Sequence, residues 1–235
     1  NYILIVHNDP LHLRGSVSTK DRLNLLNICS QIYFVSRWVE EKFFKDIEKN
    51  YYSNFKVVYP SINLLKKFPK KEKLIIFSGK LNKSKGFPIF GEAIIKILNT
   101  HKDWTSVVIG DEPREKYNFN HKNLKYLGWI PYEKVLNYFS KSSITVVPSN
   151  WAEPFGRTSL EAGSRGNAVI ISNRGGLPET INSPEILKNV NSDSIFNQIN
   201  HLIRNKNKLR RLQIDSFKNP LHIISDFCKI IDKDR

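Results

Sequence analysis

The sequence contains no methionine and only two cysteines, Cys29 and Cys228, which stand far apart. Two isolated cysteines provide neither a disulfide framework nor the paired ligands of a zinc site. An Asp-x-Asp pair behind a predicted strand and a cluster of histidines at ligand spacing are missing as well. We therefore predict a protein without a resident cofactor or a bound metal.

Long apolar runs are also missing from the sequence. No run approaches the ~20 residues that a helix needs to span a bilayer. The first residues lack the basic stretch and the cleavage site of a signal peptide. We expect a cytoplasmic protein.

Acidic residues are few, with 22 Asp and Glu against 37 Lys and Arg, so the formal net charge is +15. Such a charge suits anionic partners, among them phosphates, nucleic acid and anionic lipid. Helix-turn-helix, zinc and aromatic RNA-binding signatures are absent, so we expect no nucleic acid partner. The charge fits peripheral contact with an anionic membrane, although a biased genomic composition would scatter lysines in the same way.

Short apolar runs alternate with amphipathic segments along the chain, which predicts an α/β protein with parallel strands. The predicted strands are Tyr2–Val6, Gln31–Val35, Lys56–Tyr59, Leu74–Ser78, Ser106–Ile109, Lys125–Leu127, Ile144–Val147 and Ala168–Ile171. The predicted helices are 21–29, 36–47, 88–98, 132–140, 158–163, 192–203, 206–216 and 221–231.

The stretch 144–179 combines a strand, a polar loop, a helix start near Thr158 or Ser159, a second strand and a glycine pair. Its loops follow the carboxyl ends of strands, where open α/β sheets bind ligands. Glu153 lies in the first loop, and Glu161 lies about one turn into the helix. A phosphate at the helix N-terminus would have a carboxylate on each side, suited to sugar hydroxyls. Taken alone, the two glutamates could equally be a loop charge and an exposed helix residue.

Further motifs accompany this stretch in a fixed order along the chain. They are E-P-F-G-x-x-x-x-E over 153–161, G-G-L-P-E over 175–179, Gly79-Lys80-Leu81 with Lys85-Gly86, G-D-E-P over 110–113, and Leu127-Gly128-Trp129. Together they resemble the donor-site signature of retaining GT-B glycosyltransferases of the GT4 type, over most of the chain. The resemblance implies transfer of a sugar from a nucleotide-diphosphate sugar to a glycan or lipid-linked acceptor, without a metal, in cell-envelope polysaccharide or lipopolysaccharide synthesis.

The resemblance also implies a domain plan. Residues 74–217 would form a complete carboxyl-terminal Rossmann-like donor domain, and 62–73 would be the linker before it. Residues 1–61 would be the trailing part of an amino-terminal Rossmann-like acceptor domain, and 218–235 a helix that crosses back to it. On this interpretation the chain is an amino-terminally truncated fragment, weak or inactive on its own.

By resemblance, catalysis would involve Glu153, His7 and Lys85. Glu153 would lie against the donor sugar, to position it or to stabilise an oxocarbenium-like transition state. Lys85 and Lys80 would neutralise the leaving diphosphate, although both could instead be solvated loop lysines. Lys80 replaces the usual arginine of the family, which keeps the charge but loses bidentate geometry. His7 matches a histidine that touches the donor sugar in many relatives, but a single histidine after a strand is also a common structural residue.

The remaining residues implied by the resemblance would bind the donor. Glu161 would hold the ribose hydroxyls, and Trp129 would stack on the base unless its ring belongs to the core. A glycine pair, Gly175 and Gly176, would form a backbone wall near the sugar unless it is only a turn. The family usually has an apolar residue at the position of Arg157, to which no role is assigned. The other donor-binding residues are Gly79, Gly110, Gly128, Phe155, Gly156, Thr158 and Ser159.

Two other functions remain open at this point. A GT-B nucleotide-sugar epimerase or hydrolase would share the fold, although the motif from Glu153 to Glu161 favours a transferase. A non-enzymatic basic module that binds membrane or nucleic acid would ignore nucleotide sugars, and its binding would fall steeply with salt.

Overall fold

The structure is a computed structural model that describes residues 2–218. Within this range the strands form two separate sheets, and every pair of neighbouring strands is parallel. The predicted helix 221–231 lies outside the described residues, as does the crossing segment 218–235 apart from Lys218. The arrangement confirms the predicted α/β class.

The first sheet has three strands in the order β1 (Tyr2–Val6), β2 (Cys29–Phe34), β3 (Phe55–Val57). They are connected through α1 (Thr19–Ile28), α2 (Arg37–Phe43) and a 3₁₀ turn at Lys49–Tyr51. Ser18 and Asp21 form a capping box at the start of α1. Ser36 caps α2 by accepting the N–H of Val39, as its position before the apolar segment predicts.

The second sheet has six strands in the order β6-β5-β4-β7-β8-β9. The strands are β4 (Leu74–Ser78), β5 (Thr105–Ile109), β6 (Leu124–Tyr126), β7 (Ile144–Val147), β8 (Ala168–Ser172) and β9 (Glu185–Leu187). The helices are α3 (Phe87–Thr100), α4 (Tyr132–Lys141), α5 (Arg157–Ser164), α6 (Ser192–Arg204) and α7 (Lys206–Lys218), with a 3₁₀ turn at Leu177–Glu179.

Apolar side chains leave the second sheet on both faces. Ile75 and Phe77 pack in a cluster with α3 and α6, whereas Ile76 packs in a second cluster with residues of α4 and α5. A parallel sheet covered on both faces needs nearly continuous apolar strands, which explains the sequence of β4, β7 and β8. The chain order reverses between β4 and β7, and such a reversal opens a crevice at the carboxyl ends of these strands.

Some local predictions differ from the structure, among them the helix predicted over 36–47, which ends at Phe43. Thr158 and Ser159 do not cap α5, because the helix begins at Arg157 and its cap is Gly156, whose φ of 111° suits glycine. The Ser159 hydroxyl lies inside the first turn and donates to the Gly156 carbonyl at 2.7 Å. Strand β9 was not predicted, since a three-residue edge strand leaves no apolar run to recognise.

Candidate active site

A cavity of about 350 Å³ lies at the carboxyl ends of β4 and β7, between the two sheets. We call it the first cavity; His7 and Asn8 line it from the first sheet, and Gly79, Lys85 and 153–158 line it from the second. A second cavity of about 400 Å³ shares Ser78, Gly79, Arg157 and Thr158 with it. The second cavity is further lined by Ile109, Trp129, Ile130, Tyr132, Val135 and Glu161.

Glu153 and Lys85 form an ion pair in the first cavity. The Lys85 Nζ lies 2.6 Å from Glu153 Oε1, and the Ser149 hydroxyl donates to the same oxygen at 2.7 Å. Glu153 is only 8% exposed, so its charge requires these partners. Its Oε2 accepts no hydrogen bond from the described residues and remains available to a ligand.

The glycine pair lies behind Glu153 and does not line the cavities. A Cβ on Gly175 would lie 2.1 Å from the Glu153 carbonyl oxygen, and one on Gly176 would lie 2.5 Å from that of Pro154. The N–H of Gly176 donates to the Glu153 carbonyl at 2.7 Å. These two positions therefore hold the backbone that carries the carboxylate.

The N-terminus of α5 faces both cavities. No side chain caps it, and Thr158 in its first turn lines the first and the second cavity. The free N–H groups and the helix dipole favour an anion here. Phe155 lines the first cavity just before the helix. Ser159 is fully buried and hydrogen-bonds Thr180 at 2.7 Å, so it supports the turn and lines neither cavity.

Glu161 lies in the wall of the second cavity and is 8% exposed. Burial raises the pKa of its carboxyl group, while Arg157 and a hydrogen bond with Tyr132 act in the opposite direction. The Nε atom of Arg157 lies 3.2 Å from Glu161 Oε1. Trp129 in the same wall is 70% exposed, so the core alternative for this ring is wrong and its face is free for stacking.

Three predicted glycines stand side by side after β4, β5 and β6. The N–H of Gly79 donates to Ile109, and that of Gly110 donates to Gly128, each at 2.9 Å. A Cβ on Gly110 would lie 1.9 Å from the Gly79 carbonyl oxygen. Gly79 lines both cavities, whereas Gly110 and Gly128 line neither and keep the strand ends close together.

Lys80 is exposed and lines neither cavity. Its charge acts instead on Glu112, whose pKa is lowered to about 2, first by a hydrogen bond from Arg114. The structure therefore brings Lys85 but not Lys80 to the crevice. His7 lines the first cavity and a pocket that it shares with Tyr33 and Arg157.

Sequence reasoning missed three contributors to the site. Ser149 orients Glu153, and Tyr132 and Arg157 surround Glu161. The four-residue spacing from Arg157 to Glu161 on a helix is the one signal that could have indicated their ion pair. Among residues 2–218, no group of histidine, cysteine, aspartate and glutamate could hold a metal, and none of the helices is long and apolar enough to cross a bilayer.

Comparison with known proteins places these features in a family. The model of the family "Glycosyl transferases group 1" matches residues 65–218. The chain is 26% identical over 240 residues to YtcC of Bacillus subtilis (strain 168), covering 91% of this chain and 52% of that protein. It is 31% identical over 115 residues to the lipopolysaccharide core biosynthesis mannosyltransferase LpcC of Rhizobium leguminosarum bv. viciae, covering 44% and 32%.

A solved structure shows the same fold. The Anabaena protein Alr3699/HepE, in complex with UDP and glucose, has a TM-score of 0.78 and 15% sequence identity, covering 98% of this chain and 70% of that one. The similarity confirms the predicted GT-B fold. The chain spans about half the length of YtcC, 52% of it.

Proposed function

The chain belongs to the glycosyl transferases group 1 family, and we propose that it binds the donor of a retaining glycosyltransferase. The donor is a nucleotide-diphosphate sugar, and its sugar passes to a glycan or lipid-linked acceptor. The observation that carries the proposal is one crevice with the Lys85–Glu153 pair at one end, Glu161 at the other, and the N-terminus of α5 between them.

The second cavity suits the nucleoside half of the donor. Glu161 can accept hydrogen bonds from the two ribose hydroxyls, and the exposed ring of Trp129 can stack on a base. The free N–H groups at the start of α5 suit the diphosphate. The Anabaena protein, solved with UDP and with UDP-glucose, supports this class of donor by its shared fold.

The first cavity suits the sugar. As the bond between the anomeric carbon and the diphosphate oxygen breaks, negative charge grows on the diphosphate and positive charge on the sugar ring. The ammonium group of Lys85 and the α5 N-terminus stabilise the first charge, and the carboxylate of Glu153 stabilises the second. With these groups in place, the proposed reaction requires no metal.

The acceptor approaches from the first sheet, where His7 and Asn8 line the cavity. Sequence similarity to a lipopolysaccharide core mannosyltransferase supports a cell-envelope acceptor. A formal net charge of +15 supports peripheral contact with anionic lipid at the cytoplasmic face of the membrane.

Substitution of Glu153 separates catalysis from donor binding, whereas substitution of Lys85 is expected to affect both. The assay offers UDP-, GDP- and ADP-sugars together with lipid-linked glycan acceptors and measures the rate at which nucleoside diphosphate is formed. We expect Glu153→Gln to lower this rate by about 100-fold. Diphosphate affinity should not fall, because the substitution removes a negative charge. Lys85→Met should lower both quantities, since it removes the cation and leaves Glu153 buried without its partner.

The stereochemistry of the product tests the retaining mechanism. Proton NMR of the anomeric signal is expected to show the configuration that the sugar had in the donor. An inverted product, or a Glu153→Gln variant with undiminished turnover, would contradict the proposed mechanism.

A further inference from the structure

The crevice holds few cations for a diphosphate. Among the described residues that line the first and second cavities, the positively charged side chains are those of Lys85 and Arg157. Lys85 is already paired with Glu153 at 2.6 Å, and Lys80 lies outside both cavities. A bound diphosphate therefore needs a positive charge that Lys85 alone does not supply.

Arg157 stands where that charge is needed. It is the first residue of α5, and it lines both cavities as well as the pocket beside His7. An anion held by the N-terminal N–H groups of α5 would lie next to this residue. Its side chain is 60% exposed, so the guanidinium can turn without breaking core packing.

The present partner of Arg157 holds it weakly. Both its Nε and one terminal nitrogen approach the same oxygen, Glu161 Oε1, at 3.2 Å. Charge-assisted hydrogen bonds of guanidinium groups are usually 2.7–2.9 Å long, and strong pairs use both carboxylate oxygens. The contact nevertheless occupies the carboxylate that the ribose hydroxyls would require.

We propose that Arg157 is a mobile cation of the donor site, which pairs with Glu161 as the structure shows and moves to the diphosphate when a nucleotide binds. The inference rests on the proposed donor function. The ribose hydroxyls then replace the guanidinium at Glu161, so that neither charge is left without a partner. The guanidinium also supplies the bidentate phosphate contact that Lys80, outside the crevice, does not.

The proposed exchange, in which Arg157 leaves Glu161 for the diphosphate, predicts that loss of Arg157 lowers the affinity for diphosphates more than that for monophosphates. By calorimetry on the whole chain, we would titrate UDP and UMP, GDP and GMP, and ADP and AMP. Arg157→Gln is expected to lower the affinity for the preferred nucleoside diphosphate tenfold or more, the loss expected for a charge-assisted phosphate contact. The affinity for the corresponding monophosphate should fall by less than about threefold. Arg211→Gln, which removes the same charge from an exposed position on α7, is the matched control.

A second variant tests the exchange itself. Glu161→Gln removes the carboxylate that would accept the ribose hydroxyls, so the affinity for both nucleotides should fall. Because it also releases the Arg157 guanidinium, the preference for diphosphate over monophosphate should stay the same or rise. Arg157→Lys keeps the charge without the planar guanidinium, so its diphosphate affinity should lie between those of wild type and Arg157→Gln. Thermal unfolding of each variant, followed by circular dichroism, establishes that it is folded.

Several results would overturn the inference while leaving the donor function in place. They are unchanged diphosphate affinity in Arg157→Gln, equal losses for diphosphate and monophosphate, a lost diphosphate preference in Glu161→Gln, or a loss that Lys80→Gln reproduces and Arg157→Gln does not. If the wild-type chain binds none of the nucleotides, the proposed donor function itself is contradicted, and the inference falls with it.

Discussion

Glu161 lies in a wall that is nearly closed to solvent, and only 8% of the residue is exposed. Burial raises the pKa of its carboxyl group above the ordinary value, and Arg157, Tyr132 and Arg165 reduce but do not cancel this effect. Between the ordinary and the raised pKa, the folded chain keeps a proton that the unfolded chain releases. The contribution of Glu161 to stability therefore falls as the pH rises through that interval.

This proton also couples pH to nucleotide binding. The carboxylate accepts hydrogen bonds from the two ribose hydroxyls more strongly than the protonated acid does, so we predict that diphosphate affinity falls as the pH is lowered through the raised pKa of Glu161. Calorimetry over a pH series should show this fall in wild type and a flatter profile in Glu161→Gln. Glu133→Gln, on the exposed face of α4, is the control. An unchanged pH profile in Glu161→Gln would contradict this assignment.

At the level of residues, sequence reasoning succeeded where position along the chain alone decides location. The loops that follow parallel strands meet at one edge of the sheet. Gly79, Lys85 and Glu153 of these loops therefore share a cavity with Thr158 at the start of α5. The sequence alone does not show in which direction a side chain beside these residues points, as Lys80 and Arg157 illustrate. Lys80 is therefore outside the crevice while Arg157 is inside it.

At the level of elements, the N-terminus of α2 depends on a residue far along the chain. The Glu179 carboxylate accepts the N–H groups of Arg37 at 2.8 Å and Trp38 at 2.9 Å, and the Tyr59 hydroxyl donates to it at 2.8 Å. The Ser36 hydroxyl donates to the Pro154 carbonyl. Acceptor groups in the segments that follow β7 and β8 of the second sheet thus bind the N-terminus of a helix that belongs to the first sheet.

Removal of this carboxylate should loosen the contact between the sheets. We predict that Glu179→Ala destabilises the chain by about 2 kcal/mol, the usual effect of losing a helix cap and charged hydrogen bonds. Burial first and Glu179 second raise the pKa of Tyr59, so that pKa should fall in the variant. Thermal unfolding and tyrosine absorbance titration measure the two effects.

Two further variants make the Glu179 test specific. Glu179→Gln keeps an acceptor oxygen and should be less destabilised than Glu179→Ala, and Tyr59→Phe identifies the titration of Tyr59. Equal stability of wild type and Glu179→Ala, with an unshifted Tyr59 titration, would show that this contact does not connect the sheets.

Element types were predictable because apolar runs and helical periodicity are local properties. The strands Tyr2–Val6, Leu74–Ser78 and Ile144–Val147 have the predicted bounds. Contacts between elements distant in sequence were not predictable. The Lys71 ammonium, for example, donates to the carbonyls of Phe139 and Ser140 at 3.1 Å and of Arg165 at 2.6 Å, although the sequence indicated only a basic linker.

At the level of the whole molecule, the crevice between two parallel sheets combines a carboxylate–ammonium pair, a helix N-terminus and a buried carboxylate. The order of motifs predicted the GT-B fold because each motif follows a strand of the second sheet. How the first sheet contributes was less predictable. His7, Asn8, Val35 and Pro60 line the first cavity from the side of the first sheet, which supports the proposal that the acceptor would meet the donor across the sheets.

The most direct test of the donor site is calorimetric titration of UDP, GDP, ADP and their sugars into wild type, Glu161→Ala and the control Glu133→Ala. We predict saturable binding of one diphosphate and its sugar to wild type, unchanged in the control. In Glu161→Ala it should be about tenfold weaker, the loss expected when charged hydrogen bonds to a ligand are removed. Failure of wild type to bind any of these nucleotides, or equal affinity in Glu161→Ala, would contradict the placement of a nucleotide sugar in this crevice.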